Sequence, residues 1–400
     1  MRGVLMRIQH PHLIVWLLFK LVIIITLSKI HSTRTTCFAF SPSSVRASCN
    51  PVSLTINNKN NLLSSSDSST STRITMVNTK TTASSTSNII DLPKEERKGI
   101  LVLRRCGLPI STKEPPPVYL LISGFPDPPT TFDSFVQPFE ERYHVVKIGY
   151  PGMEDDELPS NAVWGYSLKQ IHAALVTVLE EYRDVYHCNT IMLHGFDWGA
   201  MITLGVAHSH PHLLTKLVQQ DIGQMNLAQM SRYNRAIIVS YQLFLATLFC
   251  LSRLLSFGRN VTTTVLSKVG LWAFPWFLLM KPSVLAWDML SDNLAPHKCY
   301  PYLQIVLDNV IRERGERLRT KFAPTVPQLF AYSDPHYQYV SFFTDGYLTK
   351  LKETLHCQVK SYPGTHWLHI NCQEELQRDV MDFFLKDSSV DMMATEKKEL

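Results

Sequence analysis

Between residues 96 and 388 the apolar positions follow two periods in turn. Short apolar runs at 99–104, 118–122, 143–148, 190–193, 216–220, 328–332 and 359–362 read as strands. The run at 118–122, Val-Tyr-Leu-Leu-Ile, is apolar throughout, which suits the middle of a sheet covered on both faces. After Ser167, which can cap a helix, Leu168, Ile171, Leu175, Val178 and Tyr182 recur at helical spacing. Asn371 and Glu374 make a capping-box pattern ahead of a last amphipathic helix bearing Leu376, Val380, Phe383 and Phe384. Strands alternating with helices predict an α/β fold on a doubly wound, mostly parallel sheet, whose sites lie at the carboxyl ends of the strands. Residues 225–320 interrupt the alternation with long apolar and helical segments, dividing the core into 96–224 and 321–388.

The turns at the strand ends carry the candidate chemistry. Residues 194–200 read His-Gly-Phe-Asp-Trp-Gly-Ala, between a strand-like and a helix-like run. A sharp strand-to-helix turn requires small residues two before and two after its tip, and Gly195 and Gly199 flank Asp197 in this way. A serine at such a tip implies acyl transfer. A carboxylate attacks carbon directly and forms an alkyl-enzyme ester that water later hydrolyses. Gly-x-Asp-x-Gly is also an ordinary turn, so the partners decide. Ser-Gly-Phe-Pro-Asp at 123–127, after the central strand, can aim the Phe125 N–H into the site, with the Trp198 N–H as a second oxyanion donor. Far downstream, Pro-Gly-Thr-His-Trp at 363–367 sets His366 on the exit loop of the last strand as a general base. Two carboxylates compete to orient it: Asp334, the preferred one, and Asp221, which follows the preceding strand.

Gly-x-Asp-Trp-Gly, with Gly-Phe-Pro before it and Gly-x-His-Trp after it, resembles the epoxide hydrolase and haloalkane dehalogenase branch of the α/β-hydrolase superfamily, over about residues 98 to 386. The resemblance implies an α/β-hydrolase fold with an inserted helical lid at 225–320. It also implies Asp197 as nucleophile, His366 as the water-activating base, and Phe125 and Trp198 at the oxyanion positions. In epoxide opening two lid tyrosines hydrogen-bond the ring oxygen. Tyr241, in Tyr-Gln-Leu-Phe, matches the first, and Tyr302, with Tyr300 as its alternative, the second. No metal or organic cofactor is implied, and the expected partner is a small apolar, lipid-like epoxide. The chain departs from the pattern at Ser123 and Phe196, where the family commonly has His, and at Asp334, which follows its strand about two residues early. Two other readings stay open. A haloalkane dehalogenase would want a second polar halide donor near Phe125, and a catalytically decayed α/β-hydrolase fold could serve as a ligand-binding protein.

Composition adjusts this picture mainly at the ends. A length of 400 residues allows two domains or one large one with insertions, and 45% hydrophobic residues supply a proper core. The net charge of +5 is misleading, because the first ninety residues hold nine Lys/Arg and a single acid, Asp67. The remainder is slightly acidic, so nucleic acid is not an expected partner. Eight cysteines without a Cys-x-x-Cys pair show neither a zinc site nor a disulfide framework, which favours a reduced compartment.

Residues 1–30 contain an apolar run after Arg2 and Arg7, a signal peptide or membrane anchor. Residues 31–95 are rich in Ser, Thr and Asn, poor in acids, and too polar to fold. With Ala39-Phe40-Ser41-Pro42, they resemble the bipartite presequence of diatom plastid proteins and predict a plastid address. Lys397 and Lys398, in a tail at 389–400, fit the competing endoplasmic reticulum address, or a plain solvated tail. Trp272, Phe274, Trp276 and Phe277 predict a buried lid helix, with membrane contact as the alternative.

Overall fold

The computed structural model describes residues 89–154, 158–224, 229–254, 294–310, 326–337 and 340–386. The expected signal and transit-like segments up to 88, the aromatic run at 272–279 and the tail lie outside the described residues.

Two short strands, β1 (Ile89–Ile90) and β4 (Ile110–Ser111), pair with each other. The main sheet has eight strands: β2 (Glu95–Lys98), β3 (Leu101–Gly107), β5 (Val118–Ile122), β6 (His144–Gly149), β7 (Ile191–Phe196), β8 (Lys216–Gln220), β9 (Gln328–Ser333) and β10 (Cys357–Tyr362). Their spatial order is β10-β9-β8-β7-β5-β6-β3-β2. The pairs β2–β3 and β3–β6 are antiparallel, and the other five are parallel. The reversal of strand order beside β5 creates the crevice in which such sheets place their ligands. Every residue of β5, β7 and β8 is buried, as helices on both faces require, including the polar His194, Lys216, Gln219 and Gln220. β1 and the start of β2 fall inside the segment expected to stay unfolded. Their alternating burial is confined to a few residues, too short a signal to stand out in a polar tract.

Helix α1 (Leu168–Glu180) starts where Ser167 accepts from the Gln170 N–H and the Gln170 side chain accepts from the Ser167 N–H. This reciprocal cap contributes about 1 kcal/mol. Helix α2 (Trp198–Ser209) follows the elbow and is buried along most of its length between the sheet and α1. Between β8 and β9 come α3 (Arg232–Leu254) and α4 (Tyr300–Val310), which pack on each other. α3 is long and apolar enough to cross a membrane by composition, yet Ile238, Leu245 and Phe249 are buried within the protein, as in a core helix. α5 (Asp345–Glu353) and α6 (Gln373–Leu385) complete the core. The expected capping box ahead of α6 does not form. The residue before the helix is Cys372, without a side-chain cap, and the Asn371 side-chain Oδ1 accepts from the Thr365 N–H at 3.3 Å and from its hydroxyl. Asn371 thereby braces the loop that carries His366.

Candidate active site

The turn after β7 puts Asp197 at φ 53°, ψ −120°, a left-handed conformation rare for a residue with a side chain. The flanking glycines are required by contact. A Cβ on Gly195 would lie 2.3 Å from Thr203 Oγ1 and 2.6 Å from Ala200 Cα. One on Gly199 would lie 2.3 Å from the Ile122 carbonyl oxygen. A third glycine belongs to the same construction: a Cβ on Gly124 would meet Asp197 Cβ at 2.2 Å. That close approach brings the Phe125 N–H to donate to Asp197 Oδ1 at 2.8 Å. The Phe125–Pro126 peptide is cis. Trp198 opens α2, so its N–H has no acceptor within the helix and points to the same side as the helix dipole's positive end.

The other Asp197 oxygen faces His366, whose Nε2–H donates to Oδ2 at 3.1 Å. On the far side of the ring the Nδ1–H donates to Asp221 Oδ2 at 2.5 Å. Asp221 is fully buried, and its Oδ1 accepts from the Ser333 N–H at 2.9 Å. Burial alone would hold the His366 imidazole below its ordinary range. Hydrogen bonds and charge from Asp197 and Asp221 outweigh it and raise the pKa to about 10. The resting group is therefore an imidazolium between two carboxylates.

Asp334, the preferred acid of the sequence reading, does not reach His366. Its side chain is 37% exposed and accepts from the N–H and Nδ1 of His336, both at 2.8 Å. The His336 backbone N–H, and after it the His336 imidazole, hold its carboxyl below the usual range. The physical reason is the register at the ends of β8 and β9. Asp221 N–H pairs with the Ala331 carbonyl while the Ser333 N–H is spent on Asp221, which leaves Asp334 to begin the outward turn to Tyr337.

Over the site lie two of the predicted tyrosines. The Tyr302 ring meets Phe125 edge-on at 4.9 Å, Trp198 at 5.2 Å and Tyr241 at 5.8 Å between centroids. Both phenols are pushed above their ordinary range, chiefly by burial and also by the charge of Asp197. Tyr300 turns elsewhere, its ring seated on Gly165, where a Cβ would lie 2.2 Å from Cδ2. Ser123 donates to the Asp127 carbonyl at 2.9 Å, and Phe196 packs against His366 with centroids 4.8 Å apart.

Several residues that hold the site were not singled out in the sequence. Asp127 is fully buried, and its Oδ2 accepts from Trp367 Nε1 at 2.7 Å, tying the turn after β5 to the neighbour of His366. Burial and then the charge of Asp197 raise its pKa to about 6, against the opposing Trp367 hydrogen bond. Gln220 donates to His369 Nδ1 at 2.8 Å beneath Phe196. Adjacency to Gly-Phe-Pro and to His366 was the only signal available for Asp127 and Trp367. Among the described residues no group of three or more His, Cys, Asp or Glu is set to hold a metal ion.

No family model matches the chain, and no curated protein matches it either. Solved structures do. A Klebsiella pneumoniae protein provisionally described as an epoxide hydrolase superposes with a TM-score of 0.51 at 16% identity, over 72% of this chain and 96% of its own. A loop variant of haloalkane dehalogenase DbeA from Bradyrhizobium elkanii gives a TM-score of 0.48 at 14% identity, over 74% of this chain and 95% of its own. With eight strands in this order, an elbow after β7 and helices inserted between β8 and β9, the chain has the α/β-hydrolase fold.

Proposed function

We propose that the chain is a hydrolase that opens an apolar epoxide through an aspartyl alkyl-enzyme ester. The observation that carries the reading is a carboxylate, Asp197, at the elbow tip, hydrogen-bonded to His366, with the Tyr302 ring packed on the neighbouring Trp198 and on Tyr241. In the first step Asp197 Oδ2 attacks an epoxide carbon. Oδ1, already held by the Phe125 N–H, becomes the ester carbonyl oxygen. The ring oxygen leaves as an alkoxide and takes a proton from a phenol of Tyr241 or Tyr302. Ester formation removes the negative charge of Asp197, one of the two that sustain the imidazolium. His366 then loses its proton more readily: it returns one to the phenolate, which restores the phenol, and the neutral ring draws one from water, while Asp221 keeps it in place. Water attacks the ester carbonyl, the oxyanion is met by the Phe125 and Trp198 N–H groups, and the diol leaves with Asp197 restored.

Haloalkane dehalogenation would share Asp197, His366 and the Trp198 indole, but the Phe125 side chain offers a halide no polar hydrogen, whereas two phenols suit an oxygen leaving group. A decayed, ligand-binding fold drew its support from the displaced Asp334. The 2.5 Å contact between Asp221 and His366 speaks against it. The test is hydration of a terminal epoxyalkane by the full chain. Diol formation that disappears in Asp197→Ala supports the proposal, and turnover surviving in that variant overturns it.

A further inference from the structure

Residues 220 and 221 both hold His366, by different parts of it. Gln220 is the last residue of β8, in register with Phe196 on one side and Ala331 on the other. Side chains of consecutive strand residues normally leave opposite faces of a sheet. Here the Ile222 N–H donates to the Gln220 carbonyl at 2.8 Å and Asp221 sits at φ 60°, a γ-turn that ends the alternation. Asp221 reaches the His366 ring, while Gln220 Nε2 reaches its main chain, donating to the His366 carbonyl at 3.4 Å. The same nitrogen donates to His369 Nδ1 at 2.8 Å. Gln220 is fully buried, so neither bond competes with solvent.

The orientation of the amide follows from its partners. A carbonyl oxygen cannot donate, so the Gln220 atom facing it must be the nitrogen. That leaves His369 Nδ1 as an acceptor and puts its proton on Nε2, which donates to Thr131 Oγ1 at 3.1 Å. Burial above all keeps His369 neutral, as a ring with one proton must be. The short helix at Leu368–Asn371 carries His369, and its first N–H also donates to the His366 carbonyl, at 3.1 Å. The Phe196 ring packs against both histidines, 4.8 Å from His366 and 4.7 Å from His369 between centroids. Two hydrogens on one buried nitrogen thus close the loop at 366–369 onto the end of β8. Neither a carboxylate nor a thioether of the same size supplies them.

We propose that Gln220 is a positioning residue for the hydrolytic step: its side-chain amide fixes the His366 main chain, so that the imidazole held by Asp221 stays aimed at Asp197. Resting on the epoxide reading above, it acts when His366 activates water against the ester and not when Asp197 attacks carbon.

The measurement is the kinetics of wild type and Gln220→Met on 1,2-epoxyhexane, with mass spectrometry of the intact protein during turnover. Met keeps the volume and removes both donors. A displaced imidazole slows ester hydrolysis about 10²-fold, so kcat and KM fall together while kcat/KM, set by ester formation, stays within about twofold. The alkyl-enzyme then accumulates, heavier than the free protein by the mass of the epoxide. A merely structural role gives a different split: loss of folded protein lowers kcat and kcat/KM equally and leaves KM unchanged. That result, or wild-type kinetics, overturns the proposal. If Gln220→Met does not fold, His369→Phe, which keeps a ring against Phe132 and Phe196 and leaves the amide free to turn, is read in the same way. If wild type does not turn over the epoxide, the reaction assignment fails separately, and NMR of ring-labelled histidine decides the positioning role. Exchange of the His366 Nδ1 proton with solvent about tenfold faster in Gln220→Met supports it, and an unchanged rate rejects it.

Discussion

His366 donates through Nδ1 to Asp221 Oδ2 at 2.5 Å, so the carboxylate behind the imidazole comes from the end of β8 and lies before the α3–α4 insertion in the chain. Asp221→Asn should lower kcat by about 10³- to 10⁴-fold, because an amide neither fixes the productive tautomer nor stabilises the imidazolium. Asp334→Asn should stay within about twofold of wild type, as expected of an exposed group that touches only its own turn. Steady-state kinetics on both variants, with melting curves to confirm folding, checks the assignment.

The raised pKa of His366 predicts a specific pH dependence. Its folded value of about 10 lies above the ordinary 6.5, so the stability it contributes is fully present below about pH 6.5 and is lost as pH rises toward 10. Chemical denaturation between pH 6 and 10 should show this decline. Asp197→Asn removes one of the two charges that sustain the imidazolium. The His366 ring should then titrate well below its wild-type value, read by NMR of ring-labelled histidine.

Gly124 separates the demands of catalysis from those of the fold. A methyl there would meet the Asp197 side chain rather than backbone, so Gly124→Ala should displace the nucleophile from the Phe125 N–H. A loss of at least 10²-fold in kcat is expected, with a stability change of about 1 to 3 kcal/mol. At Gly199 the methyl would instead meet the Ile122 and Ser123 carbonyls, and Gly199→Ala should chiefly reduce folded yield. Activity and urea unfolding of the two variants distinguish the effects.

Tyr241→Phe and Tyr302→Phe should each slow ester formation by about 10² to 10³-fold while leaving ester hydrolysis less affected, because the phenols act on the leaving alkoxide. Stopped-flow measurement of the two steps checks this. Slowing confined to the second step would remove the phenols from the first.

Most of the sheet was legible because β5 is an unbroken apolar run, β7 begins with one, and α1 carries both its apolar stripe and its cap. The elbow and His366 were legible because sharp turns leave glycines at fixed offsets. The orienting acid was not. Asp221 and Asp334 both follow strands of the same sheet, and the choice between them depends on the register of β8 against β9, which no local pattern records. Asp127 escaped notice for a related reason, since its partner Trp367 is carried by a loop far away in sequence. The pair β1 and β4 was missed because two-residue strands carry no period.

The central claim is that Asp197 attacks carbon and is restored by water. Single turnover of an epoxide by excess protein in heavy-oxygen water, followed by mass spectrometry of the peptide containing Asp197, tests it directly. The account predicts one labelled oxygen on Asp197 and an unlabelled first-turnover diol. A labelled diol with an unlabelled Asp197 peptide would mean that water attacks the epoxide itself, and would contradict it.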